Sequence, residues 1–154
     1  MNGESATLRN MRRLLFLVVA GGLAAMTVDL LLIRHYEDTN QLIPLAVAGA
    51  AFASLGWAAI RPGIAALRTL QFVMLCFIGT GLIGITLHFQ ANAEFQREID
   101  PSISARDLFW KVTESVAPPA LAPGVMAQLG LLGLVYTYKH PALRIEDQGG
   151  IQVQ

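Results

Sequence analysis

The residues of this chain whose types could do chemistry are few: two histidines, three acids and one amide. His35 and His88 close the first and third long apolar runs, so both belong at one face of a membrane. Two imidazoles at one level on different helices can hold a haem iron axially, or bind a metal together with a carboxylate such as Glu37 or Glu94. Neither His-x-x-His, Glu-x-x-His nor a thiolate pattern accompanies them, and both stand at the edge of the apolar run, where a haem would be poorly buried. Interface histidines that only hydrogen-bond are commoner, so the sequence implies no cofactor and no metal. Asp29 is the one acid inside the first run, four residues before its end and thus roughly 6 Å beneath the boundary. An intramembrane acid is a functional candidate by default; the plainer alternative is a hydrogen bond to His88 or Gln41, or snorkelling to the headgroups. Asp29, His35, Glu37, Gln41, His88 and Glu94 form the candidate polar cluster, which His140 cannot join because it falls at the opposite face. No phosphate-cradling glycine loop, nucleophile elbow or Ser/His/Asp set is present. No catalytic residue is assigned and an enzyme is not expected.

The elements that must position these groups are membrane helices. Hydrophobic residues make up 54% of the chain and charged ones 14%, against about 25% charged in a soluble domain; mean hydropathy is +0.51. The formal net charge is zero, which leaves no basic face for nucleic acid. Four apolar runs, at about residues 14–33, 42–60, 70–89 and 121–138, approach the length a bilayer demands. The expectation is an all-α membrane protein: an antiparallel bundle of four transmembrane helices within residues 11–140. Residues 1–10 and 141–154 read as tails, and residues 90–119 as a partly helical extracytoplasmic cap. The first run follows Arg9, Arg12 and Arg13 as a signal peptide would, but it continues at full spanning length past Ala24 and Ala25. A cut after Ala25 would place Leu23 where a small residue is required, so the run reads as a span. Cys76 lies within the third run and reads as a small buried apolar residue.

Small residues punctuate the spans. Ala46 with Ala50 and Gly49 with Ala53 have the four-residue spacing that lets helices approach closely in lipid, and Gly79, Gly130 and Gly133 offer the same in the third and fourth spans. Beyond Phe89 the third helix is expected to project into water, with Leu87, Ala91, Phe95 and Ile99 as an apolar stripe, until Asp100-Pro101 breaks it. Ser104 followed by Asp107 reads as a helix start. The short helix after it, with Leu108, Phe109, Val112 and Val116 on one side, could cover the bundle or lie on the lipid surface.

Basic residues set the orientation. Arg9, Arg12, Arg13, Arg61, Arg68, Lys139 and Arg144 fall on one side, seven against Arg34, Arg97, Arg106 and Lys111 on the other. Both termini are therefore expected in the cytoplasm and the polar cluster outside.

Three stretches carry a resemblance: His35-Tyr36-Glu37-Asp38 with Gln41-Leu42-Ile43-Pro44; Ala117-Pro118-Pro119-Ala120-Leu121-Ala122-Pro123-Gly124; and Gln128-Leu129-Gly130-Leu131-Leu132-Gly133 leading to His140-Pro141. Together they resemble a group of small bacterial proteins with four membrane spans and no assigned function. The resemblance implies a bacterial inner-membrane protein and no particular activity. Three functions compete: a non-enzymatic component that self-associates or joins other membrane subunits, a small-solute or proton carrier using Asp29, and a haem or metal protein using His35 and His88.

Overall fold

The computed structural model describes residues 6–115 and 121–143. Among these the chain is helical, with no strand: α1 (Ala6–Leu32), α2 (Thr39–Ile60), α3 (Ile64–Ile99), α4 (Ala105–Thr113) and α5 (Leu121–Thr137), then a 3-10 turn at Pro141–Leu143. Three of them, α1, α2 and α3, are long and apolar enough to cross a membrane. α5 is equally apolar but has 17 residues, about 26 Å of helix.

The helix ends follow from local chemistry. α1 stops where Arg34 turns left-handed, at φ 55°. The Arg34 amide then donates to the Leu31 carbonyl at 3.1 Å and the His35 amide to the Leu30 carbonyl at 2.8 Å. This is the Schellman pattern, closed with an arginine where glycine is usual. α2 opens on a capping box, with Asp38 accepting from the first turn and the Gln41 amide oxygen accepting from the Glu37 and Asp38 amides at 3.0 and 3.3 Å. It starts at Thr39, three residues before the apolar run, so Pro44 lies inside the helix and removes one rung of its ladder. α1 likewise reaches back to Ala6, into the stretch read from sequence as a tail.

Each of α1, α2, α3 and α5 touches two of the others: α3 packs on α2 and α5, and α1 packs on α2 and α5. Between them lies one core, of Val19, Leu23, Met26 and Leu30 on α1, Ala48, Ala51, Leu55 and Ala58 on α2, Leu67, Leu70, Met74 and Phe77 on α3, and Met126, Leu129 and Tyr136 on α5. The outer surface of these helices is also apolar. Leu14, Leu17, Ile60, Phe72, Leu75, Leu82 and Ile83 are exposed, which water disfavours and lipid tails solvate.

The α3–α5 contact is the tightest. A Cβ on Gly81 would stand 2.5 Å from the Pro123 carbonyl oxygen, and one on Gly130 would stand 2.8 Å from the Met74 carbonyl oxygen. A Cβ on Gly133 would strike the Met74 side chain. Further along, Gln71 Nε2 donates to Thr137 Oγ1 at 3.2 Å. Falling numbers on α3 meet rising numbers on α5, so this pair runs in opposite directions.

Past its apolar stretch, α3 continues to its C-cap at Asp100, whose carboxylate accepts from the Ser102 hydroxyl at 2.7 Å and the Ser102 amide at 3.0 Å. Those bonds hold the Asp100 carboxyl below its ordinary pKa. Ser104 then caps α4 by accepting from the Asp107 amide at 3.2 Å. Leu108 and Val112 of α4 close on Ala93, with Phe89 and Ile103 beside them. That face covers the α3 extension, while Phe109 and Trp110 stay half exposed. Val116 lies outside the described residues.

Candidate functional site

Two of the six residues in the sequence-derived cluster meet. The Schellman turn fixes the backbone of His35 over the end of α1, and His88 reaches it from α3. Their rings stack with centroids 6.3 Å apart and planes at 26°. Beneath them is a cavity of about 270 Å³, walled by Met26, Leu30 and Ile33 of the α1 end, Pro44 of α2, Thr80 and Gly84 of α3, and the first turns of α5 from Leu121 to Met126. Among the described residues only His35, His88 and Thr80 bring polar side chains to this wall. None of the three side chains has a hydrogen-bond partner among the described residues.

The other four residues are elsewhere. Gln41 is committed to the α2 cap. Glu37 is exposed in the turn before it. Glu94 stands six residues beyond His88 on α3, about 9 Å up the axis, in a shallow surface groove with Gln90, Arg97 and Glu98. Asp29 is exposed on α1, outside the Val19–Leu23–Met26–Leu30 face, and does not line the cavity. His140 is at the far end, where its ring lies 6.0 Å from that of Tyr136.

The packing residues divide similarly. Gly130 and Gly133 are pressed against α3, whereas Gly79 has nothing within 4 Å of a Cβ position. On α2 the chain's own helices are met by Ala48, Ala51, Ser54, Leu55 and Ala58, while Ala46, Gly49, Ala50 and Ala53 are exposed. Thr80, Gly84, Pro44 and Pro123 line the cavity without having been grouped with the polar cluster.

The chemistry of the pair is that of two imidazole rings facing one another. Burial lowers the His35 pKa from its ordinary 6.5, and the neighbouring His88 lowers it further. The contribution this makes to folding is complete above about pH 6.5 and is lost as pH falls through the lowered value, because the unfolded chain then binds the proton more readily. The melting temperature in detergent is therefore expected to fall between about pH 7 and pH 5, with a shallower fall in His35→Gln. Equal slopes in the two proteins would place the pH dependence elsewhere. As metal ligands the two rings are incomplete: among the described residues no group of three His, Cys, Asp or Glu side chains could hold an ion.

Comparison with protein-family models, with curated proteins and with solved structures finds no match.

Proposed function

We propose that this chain is a four-span antiparallel helix bundle of a bacterial inner membrane, with both termini cytoplasmic. We read it as a non-enzymatic membrane component that associates with a second copy of itself. The observation that carries the reading is the direction in which the small residues of α2 face. Ala46, Gly49, Ala50 and Ala53 recur at helical spacing on one face, and that face is turned away from the chain's own helices. Lipid gives no reason for a surface of small residues, since tails are as apolar as leucine. Close van der Waals approach of another helix does. The seven-to-four basic count supports the orientation, and the apolar outer surface of α1, α2 and α3 supports the membrane setting.

Gly49→Leu tests this cleanly, because nothing lies within 4 Å of a Cβ at that position and the lone chain can accept the larger side chain. Native mass spectrometry from mild detergent is expected to show a defined homo-oligomer for the parent protein and the monomer for Gly49→Leu, with unchanged helix content. A parent protein that runs only as a monomer would sink the reading. So would an oligomer that survives both Gly49→Leu and Ala53→Leu. A parent running with a different subunit would replace the second copy by that partner.

A further inference from the structure

We propose that the cavity under His35 and His88 is a binding site for a quinone or quinol dissolved in the membrane, its ring in the apolar cavity and an oxygen on the histidine pair. The site is built from α1, α2, α3 and α5 together with the turn that follows α1, and among the described residues its wall is apolar apart from three side chains. Such a composition, a largely apolar pocket with a few convergent polar groups, is that of a small-molecule site. An apolar cavity of about 150 Å³ admits benzene, so one of about 270 Å³ has room for a substituted one- or two-ring molecule. Its position between the apolar stretches of α1 and α3 selects a ligand that travels in the bilayer.

The polar groups narrow the class further. Each neutral imidazole offers one N–H donor and one nitrogen acceptor. A ring ketone needs the donor and its reduced hydroxyl form can use either, so the same pair serves both forms. The Thr80 hydroxyl, on the cavity wall two turns before His88, adds a third group that can donate or accept. An anionic lipid headgroup would call for a fixed positive charge. Among the described residues the cavity wall has none: Arg34, the nearest in sequence, does not line it. The depressed His35 pKa agrees, since it favours the uncharged form of that ring. The inference is independent of self-association, because every wall residue comes from a single chain.

The test uses the full chain in nanodiscs of defined phospholipid and a short-tailed benzoquinone, decylubiquinone, as the probe. Empty nanodiscs give the partition background. Saturable binding of one probe per chain is expected, weakened about tenfold in His88→Leu and in His35→Leu, as loss of one hydrogen bond in an apolar site predicts. His88→Gln, which keeps a donor, is expected to bind within about threefold of the parent, and His140→Ala to bind as the parent does. Circular dichroism melts of each variant identify any that fail to fold, and His88→Gln then carries the decision. Binding no greater than the partition background would overturn the proposal. Equal affinity in parent, His88→Leu and His35→Leu would also overturn it, as would a Soret band in the purified protein that both leucine variants abolish.

Discussion

Replacing Gly81 by alanine is expected to destabilise the protein by about 1–3 kcal/mol, the usual cost of forcing an extra carbon into a closed contact. The new Cβ would sit 2.5 Å from the Pro123 carbonyl oxygen and 2.8 Å from the Ala127 amide nitrogen. Both are backbone atoms, so no rotamer change makes room and α3 must move away from α5 as a body. Displacement there would also loosen the neighbouring approaches of Gly130 to Met74 and Gly84 to Pro123. Gly79→Ala is the control. It adds the same methyl to the same helix where nothing lies within 4 Å. There the gain in helix propensity, up to about 1 kcal/mol, is unopposed. The two substitutions are therefore expected to differ in sign, measured as melting temperature in one detergent by circular dichroism. Equal shifts would mean that α3 and α5 are not in the close contact described.

That pair of glycines also shows where the sequence was legible. The three helices long enough to cross a membrane could be read from run length alone, and the Asp100-Pro101 break and the Ser104 start could be read from local chemistry, because both act within a turn. Which glycine faces a neighbour could not. Gly79 and Gly81 are two residues apart, about 200° around the helix. In water the polar face of a helix would decide between them, but in lipid both sides are apolar and the contrast vanishes. The same degeneracy holds on α2, where alanines occupy the inward face at 48, 51 and 58 and the outward face at 46, 50 and 53.

For the polar cluster, position along each helix was legible and azimuth was not. His35 and His88 share a level and do meet, whereas Asp29 is near the same level but on another side of α1. Glu94 was grouped with them although α3 carries it past the site. The cavity itself depends on Thr80 and the first turns of α5, which come together only through the α3–α5 contact.

At the opposite end from the cavity, one arginine does what a cap residue does elsewhere, and its removal is expected to be costly. The last carbonyls of a helix have no partner within it. At the end of α5, Arg12 of α1 supplies one: Nη1 donates to the Tyr136 carbonyl at 3.1 Å and to the Tyr138 carbonyl at 3.2 Å, and Nη2 donates to the Lys139 carbonyl at 3.0 Å. A cation there also meets the negative end of the helix dipole. Charged hydrogen bonds contribute about 1.5–3 kcal/mol when well shielded. Two of these three are exposed and water replaces them in part, so Arg12→Ala is expected to lose about 2 kcal/mol in total rather than the sum. Arg12→Lys separates the two contributions. An ammonium keeps the charge near the dipole but has no planar fork to span three carbonyls, so it should restore less than half of the loss. The measurements are the melting temperature and hydrogen exchange of the amides from 136 to 143, whose protection should fall in Arg12→Ala. Full recovery in Arg12→Lys would assign the effect to charge alone. An unchanged melting temperature in Arg12→Ala would mean that α1 is held to α5 by the packing of Phe16 on Tyr136 and Leu129 on Gly22, without the clasp.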